Sequence, residues 1–216
     1  MIVGITRLGG VCAAMLCLAG CRSAGYVKSN ATAARSQTVA TDVRGEVRNL
    51  DTTVSLLNSL LENPAGNLTL QFTKFSQSLD QLEASSKRTA GRAPGFRKQA
   101  AAYFEEWDRQ LPTVNDSAIR RASAARKTEA MAQFEAAAQR FEQAQDALKP
   151  VVVYLEDIRK TLSTDLTAAG LQSVREPAKI ATDNTAKIKE TLNQSAADLD
   201  AVSGKMSSVA PTVAKK

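Results

Sequence analysis

The chain has 216 residues, 44% of them hydrophobic but only 5% aromatic, and 28 Lys and Arg stand against 22 Asp and Glu for a formal charge of +6. So few large rings argue against a thick globular core, and the abundance of Ala, Ser, Thr, Gln and Lys favours helix over sheet. Histidine is absent, which removes the commonest general base and the commonest transition-metal ligand, and no cofactor or metal is expected.

The N-terminus carries one cation, Arg7, followed by an apolar run from Leu8 to Ala19 that is too short to cross a bilayer, which takes about 20 residues. The run closes on Leu18, Ala19, Gly20 and Cys21. This looks like the lipobox of bacterial lipoproteins, in which small residues precede the scissile bond and the cysteine thiol accepts diacylglycerol. Residues 1–20 are therefore read as a signal peptide cut between Gly20 and Cys21, with acyl chains such as palmitate on Cys21. Cys12 and Cys17 leave with the leader, so no disulfide framework or redox pair remains. Arg22 and Ser23 lack the Asp that resembles an inner-membrane retention signal, so the expected location is the outer membrane, facing the periplasm. Two or three acyl chains anchor firmly, since each buried methylene contributes about 0.8 kcal/mol.

Residues 21–40 are small and polar and read as a lipidated cysteine and flexible tether merging into helix. From there heptads dominate. Val43, Val47, Leu50, Val54, Leu57 and Leu61 step by alternating fours and threes, as do Leu68, Phe72, Phe75, Leu79 and Leu82. Pro64 to Asn67 separates the two stripes and offers Asn67 as a cap, which predicts an antiparallel hairpin. Gly91 to Gly95, with Pro94 inside it, breaks the pattern before a short helix from Phe96 to Leu111. Asn115, Asp116 or Ser117 then caps a long helix reaching about Ala169.

The stripe of that helix is Ala130, Phe134, Ala137, Phe141, Ala144, Leu148, Val151, Leu155, Ile158 and Leu162. Pro150 interrupts it and predicts a kink or a restart, while Val151 to Val153 is read as helix because the heptad runs through it. Ala169 to Leu171 reads as a cap and turn, and Ser173 to Glu176 has capping-box spacing ahead of Pro177. The last helix carries Val174, Ala181, Ile188, Leu192, Leu199, Val202, Met206 and Val209. The expected fold is all-α: elongated antiparallel hairpins forming a four- or five-helix, coiled-coil-like bundle over residues 41–209, with a disordered tail at 210–216.

The segments Tyr103 to Trp107, Leu111-Pro112, Ile119 to Arg121, Leu148 to Val151 and Tyr154 to Asp157 resemble a family of helical bacterial lipoproteins known only as a domain of unknown function. The likeness spans roughly Leu50 to Met206. It implies coiled-coil-like helices in the cell envelope and carries no catalytic residues. The turn from Leu162 to Leu171 departs from it, being rich in Ser, Thr and Ala.

Two kinds of surface stand out. Tyr103, Phe104 and Trp107 form the densest aromatic cluster, a contact site or merely the hydrophobic end of the bundle. Basic residues gather at Lys87, Arg88, Arg92, Arg97 and Lys98 and again at Arg120, Arg121, Arg126 and Lys127. If both groups share one end they make a patch for anionic lipid or cell wall; otherwise they are a solvated face. Tyr103, Trp107, Arg120 and Arg121 are the candidate contact residues. Glu105, Glu106 and Asp108 are neighbours in sequence, so a helix aims them apart rather than at one bond. With no phosphate loop either, the expectation is a non-catalytic, membrane-anchored structural or adaptor lipoprotein that meets an envelope protein or itself through helical contacts. The alternative is a lipid- or client-binding, chaperone-like module. An exported, tethered chain would not meet nucleic acid.

Overall fold

The computed structural model describes residues 24–208. The leader, Gly20, Cys21 and the tail at 210–216 lie outside the described residues, as does Val209. Among the described residues, five long helices and one short one run in order: α1 Ala24–Glu62, α2 Leu68–Ala90, α3 Ala93–Gln110, a 3-10 turn Leu111–Thr113, α4 Ser117–Thr164, α5 Ala168–Ser173 and α6 Arg175–Met206. At 1.5 Å per residue the 48-residue α4 is about 70 Å long, which sets the elongated shape.

The helices make four antiparallel legs. α1 packs along α6 on one side and along α2 and then α3 on the other; α4 closes the ring against α6, α2 and α3. α2 and α3 act as one leg because Gly91 and Arg92 both keep right-handed helical dihedrals between them. Pro94 is tolerated in the first turn of α3, where its missing N–H has no helical partner to lose. The two expected hairpins are thus present, and they pack on each other.

Local sequence explains most boundaries. Asn67 Oδ1 accepts from Leu70 N at 2.9 Å, and Asp116 Oδ1 accepts from Ala118 N and Ile119 N, each at 2.8 Å. The Ser173 to Glu176 capping box does not form. Ser173 instead donates to the Gly170 carbonyl at 2.7 Å, and Val174 occupies the cap position of α6 without a side-chain bond. α4 ends at Thr164 rather than near Ala169, and the short α5, capped by Thr167 Oγ1, takes the place of a plain turn. No restart occurs at Pro150, and α4 runs through it as one helix. Pro150 and Asp146, four residues earlier, are both exposed, so water can reach the carbonyl that proline leaves unpaired.

Every residue of the α4 stripe is buried, and Phe96 lies against Phe134 with ring centroids 4.6 Å apart. Ala33, Ala40, Ala100, Ala137, Ala144 and Ala196 let neighbouring legs approach closely. The α1 stripe differs from the expected one. Its deepest seam is Ser29, Thr32, Ser36, Val39, Val43, Glu46, Leu50, Thr53, Leu57 and Leu60, an unbroken 3-4 repeat. Val47, on the expected stripe, is only half-buried.

That seam overturns the tether. Residues 24–40 are helix, and Thr32, Ala33, Ser36, Val39 and Ala40 are buried against the bundle. Small polar residues can do this because their hydroxyls return to the preceding turn: Thr32 to the Lys28 carbonyl and Ser36 to the Thr32 carbonyl, both at 2.9 Å.

Candidate interaction surface at the end of the bundle

The start of α1, the end of α3, the start of α4 and the end of α6 meet at one end of the bundle. On α3, Tyr103 and Trp107 are four residues apart and so share a face, their rings 5.4 Å apart. Phe104 turns instead into the core, 6.2 Å edge-on to Phe134. Trp107 is half-buried and its indole Nε1 donates to Ser123 Oγ of α4 at 2.9 Å. The ring therefore closes the hydrophobic end of the bundle and also walls a groove of about 410 Å³ together with Tyr26, Ser29, Tyr103, Glu106 and Met206.

Of the three neighbouring carboxylates Glu105, Glu106 and Asp108, Glu106 does not lie on a helix surface. Its carboxylate is buried and accepts from Lys28 Nζ at 3.1 Å, Gln110 Nε2 at 3.0 Å and Arg109. The Gln110 amide and the Lys28 ammonium hold it below the usual carboxylate range. Arg109 and Gln110 follow it at helical spacing, a local hint; Lys28 is 78 residues away and gives none. Glu105 is exposed and Asp108 pairs with Lys127, so the three carboxylates do diverge.

Arg120 and Arg121 sit on the first turns of α4, both exposed. Arg120 Nη1 donates to the Val114 carbonyl at 3.0 Å. The four candidate contact residues thus share an end of the molecule but not a pocket, since neither arginine lines the groove. The two basic groups are not one patch. Arg92 pairs with Asp42 while Lys28 of the same helix pairs with Glu106, and these 14 residues of α1 set Arg92 about 20 Å along the bundle from Glu106. Arg97 is also committed, gripping Glu142 through Nε at 2.7 Å and Nη2 at 3.0 Å.

Two further features emerge only in three dimensions. At mid-bundle Glu46 is fully buried and accepts from Gln145 Nε2 at 2.7 Å. Burial pushes its carboxyl up to about 7, partly countered by the Gln145 hydrogen bond. On the flank, α4 and α6 leave a shallow groove of about 330 Å³ lined by Pro150, Val151, Tyr154, Ile180, Lys187 and Ile188. Among the described residues no three His, Cys, Asp or Glu side chains gather as a metal site, and no helix is long and apolar enough to cross a membrane.

Residues 20–206, the whole bundle, match a family described as a protein of unknown function, DUF2959. The chain belongs to the DUF2959 family. No curated protein and no solved structure matches it. The DUF2959 match begins at Gly20 and ends at Met206, the last residue of α6, so it reaches further toward the N-terminus than the resemblance read from Leu50 onward.

Proposed function

We propose that this protein is a membrane-anchored structural or adaptor lipoprotein of the periplasm, acting through helical protein contacts and not through catalysis. The observation that carries the reading is the position of α1. Helix is in place by Ala24, three residues after the cysteine of the lipobox, and three residues span at most about 10 Å. An acylated Cys21 would therefore hold the bundle close against the outer membrane instead of letting it roam on a tether.

The apolar stripes are consumed within the chain, so they are not free to recruit a partner. Contacts with an envelope protein, or with a second copy, fall to the flanks and ends, and the α4–α6 groove with half-exposed Ile180 is an apolar one among these. The same open groove supports a second reading, a module that holds lipid or an unfolded client. In-cell photo-crosslinking from Lys187, Trp107 and Arg120, with Cys21→Ala as control, separates the two. Recurrent capture of one envelope protein, lost in Cys21→Ala, supports the adaptor; capture of lipid or many unrelated clients supports the carrier.

A further inference from the structure

We propose that the end of the bundle nearest Cys21 is itself a docking surface for an anionic phospholipid bilayer, adding a second, electrostatic attachment to the acyl anchor. The inference deepens the lipoprotein reading and rests on it for orientation. Trp107 meets α4 at Ser123, and α4 begins six residues earlier at Ser117. Its first turns therefore project about 9 Å past the level of Trp107, at the end of the molecule where α1 begins.

The tip has the composition of a membrane interface. Three large apolar side chains stand in solvent there: Tyr26 at 58%, Val27 at 53% and Ile119 at 62% exposure. Tyr26 and Val27 adjoin on α1 and Ile119 stands on α4 at the same end, and an aromatic among exposed apolar groups is what a membrane interface carries. Beside them the carboxylates are largely answered within the protein. Glu106 is held by Lys28 and Arg109, Asp108 by Lys127, and Asp116 by the first N–H groups of α4. Glu105 is the exposed exception.

Arg120 spends its guanidinium only on a backbone carbonyl, and Arg121 has no partner among the described residues. Two exposed guanidiniums beside exposed apolar groups match lipid phosphates above an acyl boundary, where each cation contributes about fivefold in partitioning. A protein partner is the other occupant such a patch could take. Proximity to Cys21 favours the bilayer, because the acyl chains would bring this end to lipid before any other part of the molecule.

The test uses the non-acylated chain from Arg22 onward, which contains the entire closed bundle, with vesicles of phosphatidylcholine alone and of phosphatidylcholine mixed equally with phosphatidylglycerol. Binding is read by co-sedimentation and by the emission of Trp107, the chain's sole tryptophan. The expected result is binding to the mixed vesicles only, weakened by salt, and lowered roughly 30-fold in Arg120→Gln/Arg121→Gln. Both arginines are exposed, so the variant keeps the fold, and an unchanged melting curve verifies this. No binding to mixed vesicles, equal binding to both kinds, or an unaffected double variant would each overturn the proposal. Its failure is separable from failure of the lipoprotein reading, because the vesicles test the tip without acylation and mass analysis of Cys21 tests the anchor without the tip.

Discussion

Glu46 of α1 and Gln145 of α4 meet across the middle of the bundle, the amide Nε2 donating to the buried carboxyl at 2.7 Å. Asp42 lies one turn before Glu46 on the same helix, and its charge further disfavours ionisation there. Because the folded pKa is raised from 4.5 to about 7, the folded protein binds the proton more tightly than the unfolded chain does. Stability from this group is full below about pH 4.5, falls as pH rises, and is lost above about pH 7, a swing of about 3 kcal/mol. Glu46→Gln should remove that slope and exceed the native protein in stability near pH 8, as urea denaturation at several pH values would reveal. An unchanged slope in the variant would show that Glu46 is not its source.

Glu106 should behave with the opposite sign. Its carboxyl is held low by Gln110 and Lys28, so its contribution is present at neutral pH and lost as pH falls through the folded value. Glu106→Ala removes the acceptor shared by α1 and α3. Hydrogen exchange should then quicken selectively over residues 24–36, with the distal half of the bundle unchanged.

Glycine substitutions should split by site. A Cβ at Gly170 would lie 2.0 Å from the Asp165 carbonyl oxygen, a backbone atom that can move only if the α4–α5 turn opens. Gly170→Ala is expected to cost about 1–3 kcal/mol. Gly45, within α1, has nothing nearer than Arg48 Nη2 at 3.8 Å, and Gly45→Ala should add about 0.5–1 kcal/mol through helix propensity. Thermal melting of both variants checks the pair.

Pro150 sits exposed inside α4 and lacks the N–H that would complete the ladder. Pro150→Ala should raise stability by about 2 kcal/mol, the restored hydrogen bond outweighing the freer unfolded chain. Because Pro150 lines the α4–α6 groove, a loss of crosslinking from Lys187 in the same variant would tie the proline to partner contact.

The stripe of α4 was readable because a strict 3-4 spacing of Leu, Val, Ile, Ala and Phe leaves one apolar face and only one place to bury it, and in α2 and α6 Leu, Phe, Ile and Ala carry the stripe past the buried Ser78, Ser85, Thr185 and Ser195. In α1 the same spacing is half polar. Ser29, Thr32, Ser36, Glu46 and Thr53 occupy seam positions, so an apolar pattern slid the stripe toward Val47 and made residues 21–40 look like linker. Thr32 and Ser36 turn back on their own helix, but Ser29, Thr53 and Glu46 are buried on partners that local sequence does not display: Met206 O, Ser78 and Gln145, 25 to 177 residues away. At the end of the bundle the same limit holds. Tyr103 and Trp107 were visible as an i, i+4 pair, whereas the Lys28–Glu106 link and the distance between the two basic groups depend on how the legs align.

The proposed anchor is an acylated Cys21 that holds the bundle at a membrane. Mass analysis of the N-terminal peptide of the protein extracted from cell membranes addresses it directly. The expected peptide begins at Cys21 and carries diacylglyceryl on its sulfur, with the chain in the membrane fraction. A peptide with an unmodified Cys21, or one still beginning at Met1 in the soluble fraction, would contradict the claim.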